Sequence, residues 1–216
     1  MDKAEVLRRI IETGVLPVIR AASVSEARGA IDAIFAGGIS TFEVTMTVPG
    51  AIGLIAELST IEGLLIGAGT VLEPETAREC IAAGARFIVS PSTNFDTIAY
   101  CAEAETIVMP GALTPTEIVN AWDAGADFVK VFPAGSMGGA AYLSSLKAPL
   151  PQIRMIPTGG VSLATVKDLI RAGAEAVGVG ADLVDLKALR KGNSGAITET
   201  AREYVRLVDE ARNQIS

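Results

Sequence analysis

The 216 residues carry 18 Lys and Arg against 25 Asp and Glu, with no histidine and a net charge of −7. An acidic chain without a basic run argues against a nucleic-acid surface, and the missing histidine removes Ser-His and Cys-His triads and histidine-ligated catalytic zinc. Half the residues are hydrophobic but only 5% are aromatic, so the core is built from Val, Ile, Leu and Ala, as in a parallel sheet covered by helices.

Met1-Asp2-Lys3-Ala4-Glu5 opens a charged amphipathic helix over 2–13 rather than a secretory signal. No apolar run approaches the roughly 18 residues of a membrane span. The expectation is a cytoplasmic chain, one domain over 1–216, with no membrane and no nucleic acid among its partners. Cys80 and Cys101 lack CxxC spacing and read as small buried hydrophobes.

Along the chain an Ala-Gly boundary returns. Ala36-Gly37-Gly38, Ala83-Gly84-Ala85, Ala124-Gly125-Ala126 and Ala172-Gly173-Ala174 each end a helical pattern on a glycine that tolerates the left-handed cap, and each leads into a short apolar strand. Strands are predicted near 15–20, 41–45, 64–69, 86–90, 106–109, 128–132, 154–157 and 176–180. Helix starts are signalled by Ser23 with Glu26, Glu73-Pro74, Thr114-Pro115 with Glu117, and Ser162. Eight strand–helix units point to an α/β fold, a (β/α)8 TIM barrel, with the N-terminal helix able to cover its floor. An extra C-terminal helix is expected over 197–211. A doubly wound open sheet is the alternative, but no GxGxxG follows the first strand.

In such a barrel the site lies at the C-terminal strand ends. Those ends hold Arg20; Glu43, Thr45 and Thr47; Gly69-Thr70; Ser90-Pro91; Pro110-Gly111; Lys130 and Phe132; Thr158-Gly159-Gly160; and Gly178, Gly180 and Ala181. Lys130 is the anomaly, a lysine inside Phe128-Val129-Lys130-Val131-Phe132, on the strand face it shares with Phe128 and Phe132. Apolar company disfavours its charged form, and a neutral amine is the form that attacks a ketone to make a Schiff base. The alternative is a snorkelling or salt-bridged lysine. Glu43, in Phe42-Glu43-Val44, is either a proton carrier or a structural ion pair with Lys130 or Arg20. Arg20 is either a grip on a substrate carboxylate or a solvated strand-end charge. The glycines of the last two strand ends suit a backbone cradle for an anion, and tight packing explains them equally.

Seven ordered motifs carry a resemblance: Gly14-Val15-Leu16-Pro17-Val18-Ile19-Arg20, Phe42-Glu43-Val44-Thr45, Gly67-Ala68-Gly69-Thr70-Val71, Phe87-Ile88-Val89-Ser90-Pro91, Met109-Pro110-Gly111, Phe128 through Ala134, and Pro157-Thr158-Gly159-Gly160-Val161. Together they resemble the 2-keto-3-deoxy-6-phosphogluconate (KDPG) aldolase and 4-hydroxy-2-oxoglutarate (KHG) aldolase family. The resemblance implies a class I, Schiff-base aldolase, free of metal and cofactor and usually a homotrimer, acting on a small 2-keto acid. It implies that Lys130 is the Schiff-base lysine and Glu43 the general acid and base. Arg20, Thr70, Pro91 and Phe132 would line the pyruvyl pocket, and Gly159, Gly160 and the turn of Gly178, Gly180 and Ala181 the phosphate end, with Thr158 a further substrate-binding candidate at its strand end. Thr47 stands where many members carry an arginine that holds substrate, and Ala181 where a serine is common. The implied reaction is cleavage of KDPG to pyruvate and glyceraldehyde 3-phosphate. Alternatives are the galactonate epimer, KHG, a phosphosugar isomerase or synthase on the same barrel, or a non-enzymatic trimeric scaffold.

Overall fold

The structure, a computed structural model, describes residues 1–214; the last two residues of the expected 1–216 span lie outside the described residues. Helix α1 (Lys3–Thr13) is capped by Asp2, whose carboxylate accepts from the Glu5 N–H, and stops at Gly14, φ +66°. Strand and helix then alternate: β1 (Val15–Ile19), α2 (Val24–Phe35), β2 (Thr41–Thr45), α3 (Ala51–Leu58), β3 (Leu65–Gly69), α4 (Pro74–Ala82), β4 (Phe87–Val89) and α5 (Phe95–Glu103). The second half continues with β5 (Ile107–Met109), β6 (Gly111–Ala112), α6 (Pro115–Asp123), β7 (Val129–Val131), α7 (Ala140–Lys147), β8 (Met155–Pro157), α8 (Val166–Arg171), β9 (Val177–Val179), α9 (Leu186–Arg190) and α10 (Ser194–Asn213). Among the described residues no helix is long and apolar enough to cross a membrane.

All strand pairs are parallel, and β9 returns to β1 through Leu16↔Gly178. A Thr158↔Gly178 bridge joins the ends of β8 and β9. The fifth strand is divided at Pro110: β5 pairs with β4, and β6 pairs with β7. Proline has no N–H for the ladder, yet the Pro110 carbonyl still accepts from the Lys130 N–H at 2.9 Å. The result is the expected (β/α)8 barrel. Its strands are mostly one or two residues shorter than the apolar runs, β6 and α9 were not foreseen, and α10 runs a few residues past both predicted ends.

Local signals explain the joints. Gly38, Gly84, Gly125 and Gly173 have φ between +98° and +104°, the caps the Ala-Gly boundaries predicted. Thr114 and Glu117 form a full capping box, and Ser23 caps α2. Ser162 differs. Its N–H donates to the Thr165 hydroxyl, and regular helix begins only at Val166, because a side-chain turn takes the first residues.

Alternation along the strands sorts the core into two layers. Outward residues such as Phe42, Val44, Val129 and Val131 pack under the helices. Inward Leu16, Leu65, Phe87, Ile107, Phe128 and Ile156 fill the barrel, and Val6 and Ile10 of α1 close it from below. Lys3 pins α1 there through Asp127 at 3.0 Å, whose other oxygen accepts from the Val108 N–H at 2.9 Å. The floor is therefore plugged by apolar side chains, with the Thr41 hydroxyl at its edge 3.3 Å from Thr13 Oγ1, while the inward Glu43, Thr45, Lys130 and Thr158 lie toward the opposite end.

Candidate active site

Period-two alternation turns Glu43 of β2 and Lys130 of β7 into the barrel from opposite walls. They are 1% and 3% exposed, and Lys130 Nζ stands 3.5 Å from Glu43 Oε1. That oxygen accepts no hydrogen bond from the described residues. A buried acceptor left unmade costs about 1–3 kcal/mol, so its retention needs an explanation. Gly69 supplies its room: a Cβ there would lie 2.0 Å from Oε1. Lys130 Nζ also lies 5.6 Å from the centre of the Phe132 ring, a cation–π distance that keeps an apolar wall beside the amine.

Around this pair, Thr45 Oγ1 donates to the Ile19 carbonyl at 2.8 Å and is 2.7 Å from Thr47 Oγ1. With its one proton committed to Ile19, Thr45 accepts from Thr47. Thr47, expected at the substrate, is exposed and tied back to the β2 end. Thr70 adopts φ +59°. A β-branched residue in the left-handed region is an outlier, and such strain concentrates at functional sites. Nothing in the sequence announced it.

Pro91 and Phe132 border a cavity of about 440 Å³ on the β4–β6 side. Phe132 also borders a second cavity of about 300 Å³, shared with Arg20, Thr158, Gly159, Gly160 and Ala181. Arg20 is thus exposed at the β1 end, sharing this cavity both with Phe132 and with the glycine turns. Gly159 and Gly160 have φ +87° and +78°, and Gly160 lies against Gly135, where a Cβ would meet Cα at 2.9 Å. Gly178 makes way for Thr158, whose Oγ1 would be 2.2 Å from an added Cβ. At Gly180 an added Cβ would meet nothing within 4 Å, so packing does not demand that glycine.

Sequence reasoning missed one support. Fully buried Tyr204 of α10 donates to Asp182 Oδ2 at 2.5 Å, and the same oxygen accepts from the Leu163 N–H at 3.3 Å. Burial first, then the Asp182 carboxylate, push the Tyr204 phenol well above its ordinary range, so it stays a donor. It joins the loops after β8 and β9, whereas in the sequence Tyr204 is only one residue of the expected C-terminal helix over 197–211. Among the described residues no group of three or more Cys, Asp or Glu side chains is placed to hold a metal ion.

A family model described as "Aldolase: KDPG and KHG aldolase" matches residues 6–200. The chain belongs to this family. It is 33% identical over 195 residues, 90% of this chain and 93% of the relative, to a 2-dehydro-3-deoxy-phosphogluconate aldolase of Treponema pallidum (strain Nichols). It is 34% identical over 198 residues, 91% of this chain and 93% of the relative, to the KHG/KDPG aldolase of Escherichia coli (strain K12). In structure it resembles the KDPG aldolase of Legionella pneumophila, solved with pyruvate captured at low pH as a covalent carbinolamine intermediate. The TM-score is 0.84 at 31% identity, covering 91% of this chain and 96% of that one. As a KDPG/KHG aldolase the chain is a carbon–carbon lyase, so the isomerase, synthase and scaffold readings fall away.

Proposed function

We propose that Lys130 is the Schiff-base lysine of this aldolase and that its substrate is a 2-keto-3-deoxy-6-phospho sugar acid, KDPG first. The observation that carries the proposal is a buried amine facing a buried carboxylate with an unsatisfied oxygen at the barrel mouth. The covalent carbinolamine in the Legionella relative supports it.

In the proposed mechanism the neutral Lys130 amine adds to the C2 ketone, its proton passing to the new alkoxide. The carbinolamine takes up a proton from solvent and loses water to become a cationic imine, which draws electrons; the final hydrolysis returns that proton. Glu43, directly or through a water, takes the C4 hydroxyl proton. The C3–C4 electron pair moves into the imine, and glyceraldehyde 3-phosphate leaves. C3 of the enamine is then protonated, the Glu43 carboxyl being the proton store in reach, and water hydrolyses the imine to pyruvate and free Lys130. Phe132 walls the imine from water. Thr70 and Pro91 frame the pyruvyl half, and Arg20 with Gly159 and Gly160 takes the distal anion.

KHG is the second reading, favoured by Thr47 and Ala181, which leave fewer side-chain donors for a phosphate. Incubation with pyruvate and borohydride, followed by peptide mass mapping, should find a pyruvyl adduct on Lys130 that Lys130→Met loses. An adduct on Lys147, or none, sinks the mechanism. kcat/KM for KDPG, its galactonate epimer and KHG then orders the substrates. Leu72 and Phe95, large apolar side chains exposed on the segments after β3 and β4, are surface a homotrimer would cover, and sedimentation equilibrium decides the assembly state.

A further inference from the structure

The cavity over Thr158 and the glycine turns does not end at Ala181. A neighbouring cavity of about 500 Å³ shares Val18, Arg20, Gly180 and Ala181 with it and runs on to Asp185, Lys187 and Arg190. The dividing residue is only an alanine, and Gly180 raises no wall. The two spaces adjoin along these four shared residues, and the cleft they make together borders the barrel mouth on one side and α9 on the other.

Its charges are unequal. Arg190 is already bound by Glu26, at 2.6 and 3.1 Å. The Asp185 carboxylate caps α9, accepting from the N–H groups of Lys187 and Ala188 at 2.9 and 3.0 Å, and the Asp182 carboxylate, which borders the first cavity, accepts from the Tyr204 hydroxyl and the Leu163 N–H. Arg20 and Lys187 form no ion pair with any described residue. In a chain of net charge −7, two unmatched cations facing one cleft mark a place for an anion.

We propose that Lys187 is a specificity residue of this cleft: with Arg20 it binds the terminal phosphate of the longer substrate, across Ala181. This rests on the aldolase reading and adds to it the residue that reads substrate length. In KHG the second carboxylate is bonded to C4, beside the bond that breaks at Lys130. In a six-carbon phospho sugar acid the anion is two carbons further out. Lys187 therefore acts on the second and not on the first, and supplies from α9 the cation that Thr47 does not.

The test starts with calorimetric titration of glycerol 3-phosphate, which needs no turnover. Lys187→Ala, an exposed change, should weaken its binding about tenfold or more, as expected for loss of a charge-assisted contact, and Lys187→Arg should restore it. In kinetics Lys187→Ala should raise KM for the phospho sugar acid with kcat nearly unchanged. kcat/KM for KHG and borohydride trapping of pyruvate on Lys130 should stay as they were. Equal glycerol 3-phosphate affinity with and without the lysine, no binding by the unaltered chain, or an equal loss for both substrates overturns the proposal. Failure of the aldolase reading is distinct: the unaltered chain then traps no pyruvate, whatever the titration gives.

Discussion

The two ends of the barrel interior are built from the same strands and obey opposite rules. At the floor, Phe87, Phe128 and Ile156 form one apolar cluster with Val6 and Ile10, with the paired Thr13 and Thr41 hydroxyls at its edge. At the mouth, one or two residues further along the strands, stand Glu43, Lys130, Thr45 and Thr158, all buried, with an unsatisfied carboxylate oxygen among them. Glycine serves both ends by contrary means. Gly67 gives its space to the Phe87 ring, which an added Cβ would approach to 2.2 Å, whereas Gly69 gives its space to the Glu43 carboxylate. The floor spends its volume on contacts and the mouth on reach, so stability and chemistry should separate along the barrel axis.

The sharpest break of that comparison is Glu43→Gln. The amide keeps the shape and cannot carry the proton, so kcat should fall about 10²–10⁴-fold while pyruvate trapping on Lys130 persists. If turnover per folded molecule survives and only stability drops, Glu43 is a structural ion pair and the division of labour is wrong.

Next in size is the floor. Phe87 is fully buried, and Phe87→Ala should remove about 3–5 kcal/mol of stability, read from urea unfolding. The folded fraction should still trap pyruvate at the unaltered rate. Loss of trapping in that fraction would show the two ends to be mechanically coupled.

The sequence carried the barrel because its signals are local: an Ala-Gly cap before each of four strands, a proline at the start of α4 and α6, a capping box at Thr114. It carried Lys130 and Glu43 because a charge inside a β-branched run violates burial on its own, whatever lies across the barrel. What it could not carry is distance between strands. That Lys130 meets Glu43 rather than Arg20 follows from closure of β9 on β1, and Arg20 falls among the glycine turns for the same reason. Tyr204 reaches Asp182 through α10, and only the fold brings that helix against the loop after β9. The strain at Thr70 is a backbone property with no residue-type signature, since threonine is a poor choice for that φ.

The smallest effect probes the third region, the layer between strands and helices, which resembles the floor. Cys80 and Cys101 lie there, fully buried. Burial, and then the Glu79 charge, push the Cys80 thiol up to about 11. Burial, and then Asp127, push Cys101 up to about 12, with Lys3 opposing. Both folded values exceed the unfolded one, roughly 8.5. The stabilisation is therefore complete below about pH 8.5 and is lost as pH rises towards 11–12, because the unfolded chain releases thiol protons that the folded chain retains. Each thiol should contribute a slope of about 1.4 kcal/mol per pH unit in that window. Replacing both by alanine should lower stability at pH 7 through lost packing and flatten its fall between about pH 9 and 11, measured as the difference from the unaltered chain. Equal slopes, or rapid labelling of either thiol in the native chain at pH 8, would mean that water reaches this layer and that the contrast with the mouth is weaker than the packing indicates.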